Sequence, residues 1–95
     1  KEIEGVLIGM PGVRDCGVFG IPDDMYGESL CAHIELDPGA SLEVSEVIAW
    51  LAERLAKYKV PRTIVFTDTL PREDSGKIMK RKLREKYWQD AGRSI

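Results

Sequence analysis

The sequence is sparing with the residues that most often advertise chemistry. It has one histidine, His33, and two cysteines, Cys16 and Cys31. A closed zinc site needs about four ligands, so a zinc centre fails on the count and no metal site is expected. A lone histidine without partners rarely catalyses, and His33 reads as structural. No apolar run approaches the ~20 residues that a membrane-spanning helix requires. There is no signal-peptide pattern, no internal repeat, no low-complexity tract and no linker. The chain opens on Lys1-Glu2-Ile3-Glu4 without a starting methionine, as if cut from something longer. Ninety-five residues make one small domain, residues 1–95.

What the chain does have is ordinary for a globular domain, with 43% apolar and 32% charged residues. Both cysteines lie in apolar, strand-like segments, which suits small core residues of a reducing, cytoplasmic protein. The net charge of −2 hides an asymmetry. Residues 1–70 carry six Lys/Arg against twelve Asp/Glu, and residues 71–95 carry eight against four. A basic arm therefore leaves an acidic body. A nucleic-acid binder is normally basic throughout, so nucleic acid is not the expected partner.

Along the chain, Ile3, Val6, Leu7 and Met10 fall at i, i+3, i+4 and i+7, one face of a helix that Pro11-Gly12 stops. Residues 16–21 read as a buried strand. Residues 30–36 alternate Leu30, Ala32, Ile34, Leu36 with Cys31, His33, Glu35, a half-buried strand. The loop between them is short, so these two should pair antiparallel. Ser41 can cap a second helix with Val44, Val47, Ile48, Leu51 and Leu55 on one side, and Trp50 at the edge of that stripe reads as core. Residues 63–69 form a third strand. Residues 78–88 form the last helix, with Met79, Leu83 and Tyr87 as its apolar line, and residues 91–95 are expected to fray. The fold class is α+β: a small, three-stranded, mainly antiparallel sheet with helices packed on it, in the order α-β-β-α-β-α.

One stretch stands apart, residues 70–84. Leu70-Pro71 ends an apolar run because proline cannot donate to a ladder. Glu73-Asp74-Ser75-Gly76 is a polar turn in which the glycine can take positive φ. Asp74 or Ser75 can cap the helix that follows, and Lys77 sits at the junction as a cation on a defined post.

The string Pro71-Arg72-Glu73-Asp74-Ser75-Gly76-Lys77-Ile78-Met79-Lys80-Arg81-Lys82-Leu83-Arg84 resembles the last motif of the adenylate-forming enzymes, the superfamily of acyl-CoA synthetases, luciferases and peptide-synthetase adenylation domains. Only Lys80 departs from it, standing where arginine is usual. The resemblance runs through nearly the whole chain. Lys1-Glu2-Ile3-Glu4 is similar to the end of the family's hinge motif. Val18-Phe19-Gly20-Ile21-Pro22-Asp23 with Tyr26-Gly27-Glu28 is similar to its strand–loop–strand, and Leu55-Ala56-Lys57-Tyr58-Lys59-Val60-Pro61 to its penultimate motif. Lys59 and Ser75-Gly76-Lys77-Ile78 resemble the acyl-CoA synthetase branch, where peptide-synthetase domains usually carry methionine and Asn-Gly-Lys-Val.

The resemblance implies the mobile C-terminal domain of an AMP-forming acyl-CoA synthetase, with fatty acids the foremost substrate class and the large N-terminal domain absent. It implies ATP, Mg2+ and coenzyme A for the full-length enzyme, none of them held by this part alone, which would be inactive by itself. The carboxylate attacks the α-phosphate of ATP, and after the domain rotates the coenzyme A thiol displaces AMP. Lys77 matches the family's catalytic lysine of the first step. Gly76 lets the turn insert it, and Ser75 reads as a cap rather than a reactant. Arg72 is open to either a phosphate contact or a salt bridge with an acidic neighbour. Asp23, Tyr26, Gly27, Glu28, Lys59, Lys80 and Arg81 are candidates for contact with coenzyme A or across the domain interface. The readings set against this one are a peptide-synthetase or luciferase-like domain, a carrier-protein thiol as final acceptor, and, in a different class, a non-catalytic interaction module using the basic arm.

Overall fold

The computed structural model describes residues 2–93. Helix α1 (Glu2–Ile8) leads into β1 (Val13–Asp23), which turns back into β2 (Gly27–Leu36). Helix α2 (Val44–Ala52) and a single 3-10 turn at Lys57–Lys59 carry the chain to β3 (Thr63–Thr67), and α3 (Lys80–Arg93) closes it. The sheet order is β1-β2-β3. Strands β1 and β2 pair antiparallel over ten positions, while β3 adds to β2 in parallel over five. The α2 crossover explains that direction, because a helix between two neighbouring strands returns the chain to the starting edge.

The sheet has a helical layer on each face. On one face Leu7 and Met10 of the first helical segment and Val47 and Leu51 of α2 pack on Cys16, Ala32, Ile34 and Ile64. On the other, Leu83 and Tyr87 of α3 pack on Phe19, Ile21 and Cys31. Strand β2 is therefore covered on both sides, not half-buried: Cys31 and Ala32, on opposite faces, are both fully enclosed. The alternation of Cys31, His33 and Glu35 marked a second interior rather than a solvent face. His33 is tied into it by Nε2, 2.9 Å from the Tyr87 hydroxyl. Both cysteines are free and buried.

Several local expectations give way to better-satisfied alternatives. Strand β1 is longer than residues 16–21, and Pro22 stays in register opposite Glu28. The N-cap of α2 is Glu43 rather than Ser41. The N–H of Glu43 donates to the side chain of Glu46 at 2.8 Å, the return half of a capping box. Trp50 packs beside the first core as expected, with the Arg54 guanidinium 3.3 Å from its ring centre. Helix α3 starts at Lys80, two residues after the expected start, and continues to Arg93. The fraying expected over residues 91–95 thus meets helical backbone as far as Arg93, and Ser94 and Ile95 lie outside the described residues.

Candidate active site

Residues 72–78 form a small hairpin. Arg72 and Ile78 pair as an antiparallel bridge, and the Met79 N–H donates to the Pro71 carbonyl at 2.9 Å. The Gly76 N–H closes a turn on the Glu73 carbonyl at 2.8 Å, and the Glu73 N–H donates to the Lys77 carbonyl at 2.8 Å. Gly76 has φ +91°, the left-handed conformation that completes a three-residue hairpin loop. The sequence signal for the turn thus translates directly into geometry. The capping role does not: neither Asp74 nor Ser75 makes a side-chain hydrogen bond among the described residues, because α3 begins well beyond them. Lys77 stands on the returning arm of the hairpin, exposed, and forms no ion pair among the described residues.

Arg72 is in a salt bridge. Its Nη1 donates to Asp15 Oδ2 at 2.8 Å and to the Gly76 carbonyl at 3.2 Å, and Nη2 lies 3.4 Å from Glu35 Oε1. Asp15 in particular pushes the already high Arg72 pKa further up. Glu35 is the one buried charged side chain among the described residues, at 6% exposure. Its Oε1 also accepts the Leu70 N–H at 2.9 Å, and its Oε2 lies 3.5 Å from Arg14 Nε. Sequence reasoning singled out neither Asp15 nor Glu35. A carboxylate at the same strand parity as Cys31 was the available sign that a buried cation partner must exist.

A shallow open cavity of about 420 Å³ runs past the hairpin, bordered by Asp15, Cys16, Arg72, Lys77 and Lys80. Lys80 does not reach outward from it. Its ammonium is 2.9 Å from Glu4 Oε2, which also accepts the Val18 N–H at 2.8 Å. Burial alone would raise the Glu4 pKa, but the Val18 N–H and Lys80 outweigh it and hold the carboxyl below its ordinary value. Gly17 makes room for this pair: a Cβ there would meet Lys80 Cγ at 3.3 Å. On Cys16, burial, with Glu4 and Asp15 adding to it, pushes the thiol up to about 12, so the cavity wall holds a neutral and unreactive sulfur.

The remaining candidates lie elsewhere. Asp23 Oδ1 accepts the N–H groups of Tyr26 at 3.0 Å and Met25 at 2.9 Å, which hold its pKa below the ordinary value. Gly27, at φ +81°, lets the chain re-enter the sheet, and the Glu28 side chain fills the space a Cβ on Gly20 would take. Tyr26 is 65% exposed beneath the Arg62 guanidinium and borders a groove with Glu28, Lys57 and Tyr58. Lys59 is engaged by Glu2 at 2.6 Å. Arg81 is exposed beside Arg84 near Phe19. The Tyr26 groove and the Lys77 cavity share no lining residue.

Comparison with known proteins matches this geometry. The family model described as the AMP-binding enzyme C-terminal domain covers residues 2–77. A feruloyl-CoA synthase of an Amycolatopsis species is 44% identical over 86 residues, 90% of this chain and 18% of that protein. The long-chain-fatty-acid–CoA ligase FadD13 of Mycobacterium tuberculosis is 43% identical over 88 residues, 90% of this chain and 17% of that protein. Among solved structures, ATP-bound MatB from Rhodopseudomonas palustris superposes with a TM-score of 0.85 at 40% identity, over 90% of this chain and 17% of MatB. The chain thus spans less than a fifth of the length of these relatives. With its element order, its lysine hairpin and its sequence all in agreement, the chain belongs to the family of AMP-binding enzyme C-terminal domains.

Proposed function

We propose that this chain is the C-terminal domain, residues 1–95, of an ATP-dependent acid–thiol ligase that activates a carboxylic acid as its acyl-adenylate and passes the acyl group to coenzyme A. Lys77 is the cation of the first step. The observation that carries this reading is an exposed lysine that forms no ion pair among the described residues, mounted on a hairpin closed by backbone hydrogen bonds. Such a group is preorganised for an anion arriving from another surface. In the adenylation transition state the negative charges of carboxylate and phosphate converge, and an ammonium placed between them stabilises that state more than the separated reactants.

The chain's own residues suit that encounter. Nothing lies within 4 Å of the position a Cβ on Gly76 would take, so the turn presents an open approach beside Lys77. Mg2+ would enter with the nucleotide. Coenzyme A and the facing N-terminal domain would meet the Tyr26 groove, where exposed aromatic rings lie among Lys57 and Arg62. That groove and the cavity beside Lys77 share no lining residue and so present separate surfaces. The separation supports a domain that turns between the two steps.

Relatives that carry names of aryl and of long-chain fatty acyl ligases support a hydrophobic acid, with fatty acids the foremost class. Two buried free thiols suit a cytoplasmic setting. The test is ATP–pyrophosphate exchange by the full-length enzyme across aryl, medium-chain and long-chain acids, followed by thioester assay with coenzyme A. Acid-dependent exchange and acyl-CoA formation are expected. Exchange without any thioester would point to another acceptor, and no exchange with any acid would refute the ligase reading.

A further inference from the structure

The hairpin that carries Lys77 is fastened to the sheet by a charge arrangement that has no purpose until Arg72 is added. In the β1–β2 register, Val13 faces Leu36 but Asp15 faces Glu35, an irregularity that leaves Arg14 as the extra residue. Two carboxylates are thereby set directly opposite each other on one face of the sheet, where like charges repel. Arg72 resolves that repulsion by reaching both, Asp15 through Nη1 and Glu35 through Nη2. Its planar fork then has a hydrogen left on Nη1, which goes to the Gly76 carbonyl.

That last contact bears on Lys77. The Gly76 carbonyl and the Lys77 N–H belong to one rigid peptide plane. Arg72 therefore fixes the plane before Lys77, while the Glu73 N–H fixes the plane after it by bonding the Lys77 carbonyl. Glu35 also takes the N–H of Leu70, so one carboxylate on the central strand holds both the entry to the hairpin and the side chain that clamps its far end. The backbone around Lys77 is held from both sides, while its side chain forms no ion pair among the described residues.

We propose that Glu35 and Asp15, acting through Arg72, are positioning residues for Lys77: they set the peptide plane that aims its ammonium at the reacting charges. The proposal rests on the adenylation role of Lys77. Arg72 thus has a task other than direct phosphate contact, and the bulge at Arg14 is what brings its two anchors into line.

The experiment is a cycle in the full-length enzyme with Arg72→Lys, Lys77→Ala and the double variant, and with Glu35→Gln and Asp15→Asn as milder probes. Pyrophosphate release reads the first step, and thioester formation from presynthesised acyl-adenylate reads the second. Arg72→Lys keeps one charge but cannot fork, and should slow adenylation by about 10–100-fold through misplacement alone. The KM for ATP and the rate of the second step should stay near wild type. Glu35→Gln and Asp15→Asn should change adenylation in the same direction. In the Lys77→Ala background, Arg72→Lys should add nothing, because its only route to the chemistry is gone. If Arg72→Lys costs the same factor with Lys77 absent, or slows both steps alike, the positioning role is wrong and the cluster only stabilises the fold. If Lys77→Ala slows adenylation while none of the three charge variants does, the positioning role alone falls. If Lys77→Ala itself has no effect, the reading beneath it falls as well.

Discussion

Gly76 offers a clean test of the hairpin because its substitution isolates a single physical effect. At φ +91° an alanine would occupy the left-handed region, yet its Cβ would meet nothing within 4 Å. Steric collision with neighbours therefore contributes nothing, and the cost is that of the backbone, ~1–2 kcal/mol. Alanine also restricts the unfolded chain, which returns ~0.4–1 kcal/mol. Gly76→Ala should thus destabilise the domain by about 1 kcal/mol. For a domain of this size that is a fall of about 4–8 °C in Tm, or the matching shift in a urea midpoint. Gly76→Asn should fall less, since asparagine tolerates this conformation. The assay is thermal and urea unfolding of the three 95-residue chains side by side. In the full-length enzyme Gly76→Ala should also slow adenylation, because relief of the strain would rotate the plane that Arg72 holds. A Gly76→Ala chain as stable as wild type, or more stable, would refute the left-handed turn and with it the account of how Lys77 is presented.

Two further outcomes follow from the buried faces of the sheet. Burial, with Lys86 nearby, lowers the His33 pKa below its ordinary 6.5. The unfolded chain then takes up a proton near pH 6.5 while the folded chain does so only lower, so stability should fall as the pH drops through that interval. His33→Gln should flatten this part of a urea-midpoint profile between pH 7 and pH 5, and an unchanged slope would remove His33 as its cause. Burial also raises the thiols, Cys16 up to about 12 and Cys31 in the same direction. Both should resist a thiol reagent at pH 8 in the folded protein and react together in denaturant; rapid labelling of either in the native state would contradict the packing.

The element order was legible because the apolar periodicities are clean and the turns are punctuated by Pro11-Gly12 and Pro38-Gly39. The turn at Gly76 was legible too, since a glycine after Glu-Asp-Ser leaves the backbone few options; the return arm through Lys77 and Ile78 was not, and read instead as the start of the last helix. What escaped was set by contacts distant in sequence. The second buried face of β2 depends on α3, about fifty residues further on, and an alternating strand cannot say what will cover its other side. Asp15 and Glu35 look like ordinary surface acids until a one-residue irregularity aligns them and Arg72 arrives from the end of the chain. Lys80 and Lys59 looked free for ligands because Glu4 and Glu2, their partners in α1, are 76 and 57 residues away. The parallel direction of β3, by contrast, follows from the helix that precedes it and could have been stated from the sequence.

Lys77 is proposed to serve the first of two half-reactions and not the second. The most direct measurement compares the full-length wild type with Lys77→Ala, following pyrophosphate release from acid and ATP alongside thioester formation from presynthesised acyl-adenylate and coenzyme A. Loss of one preorganised donor should slow the first by roughly 10²–10³-fold, the equivalent of ~3–4 kcal/mol in the barrier. The second should proceed at close to the wild-type rate. Equal adenylation by both proteins, or an equal loss in both half-reactions, would contradict the account.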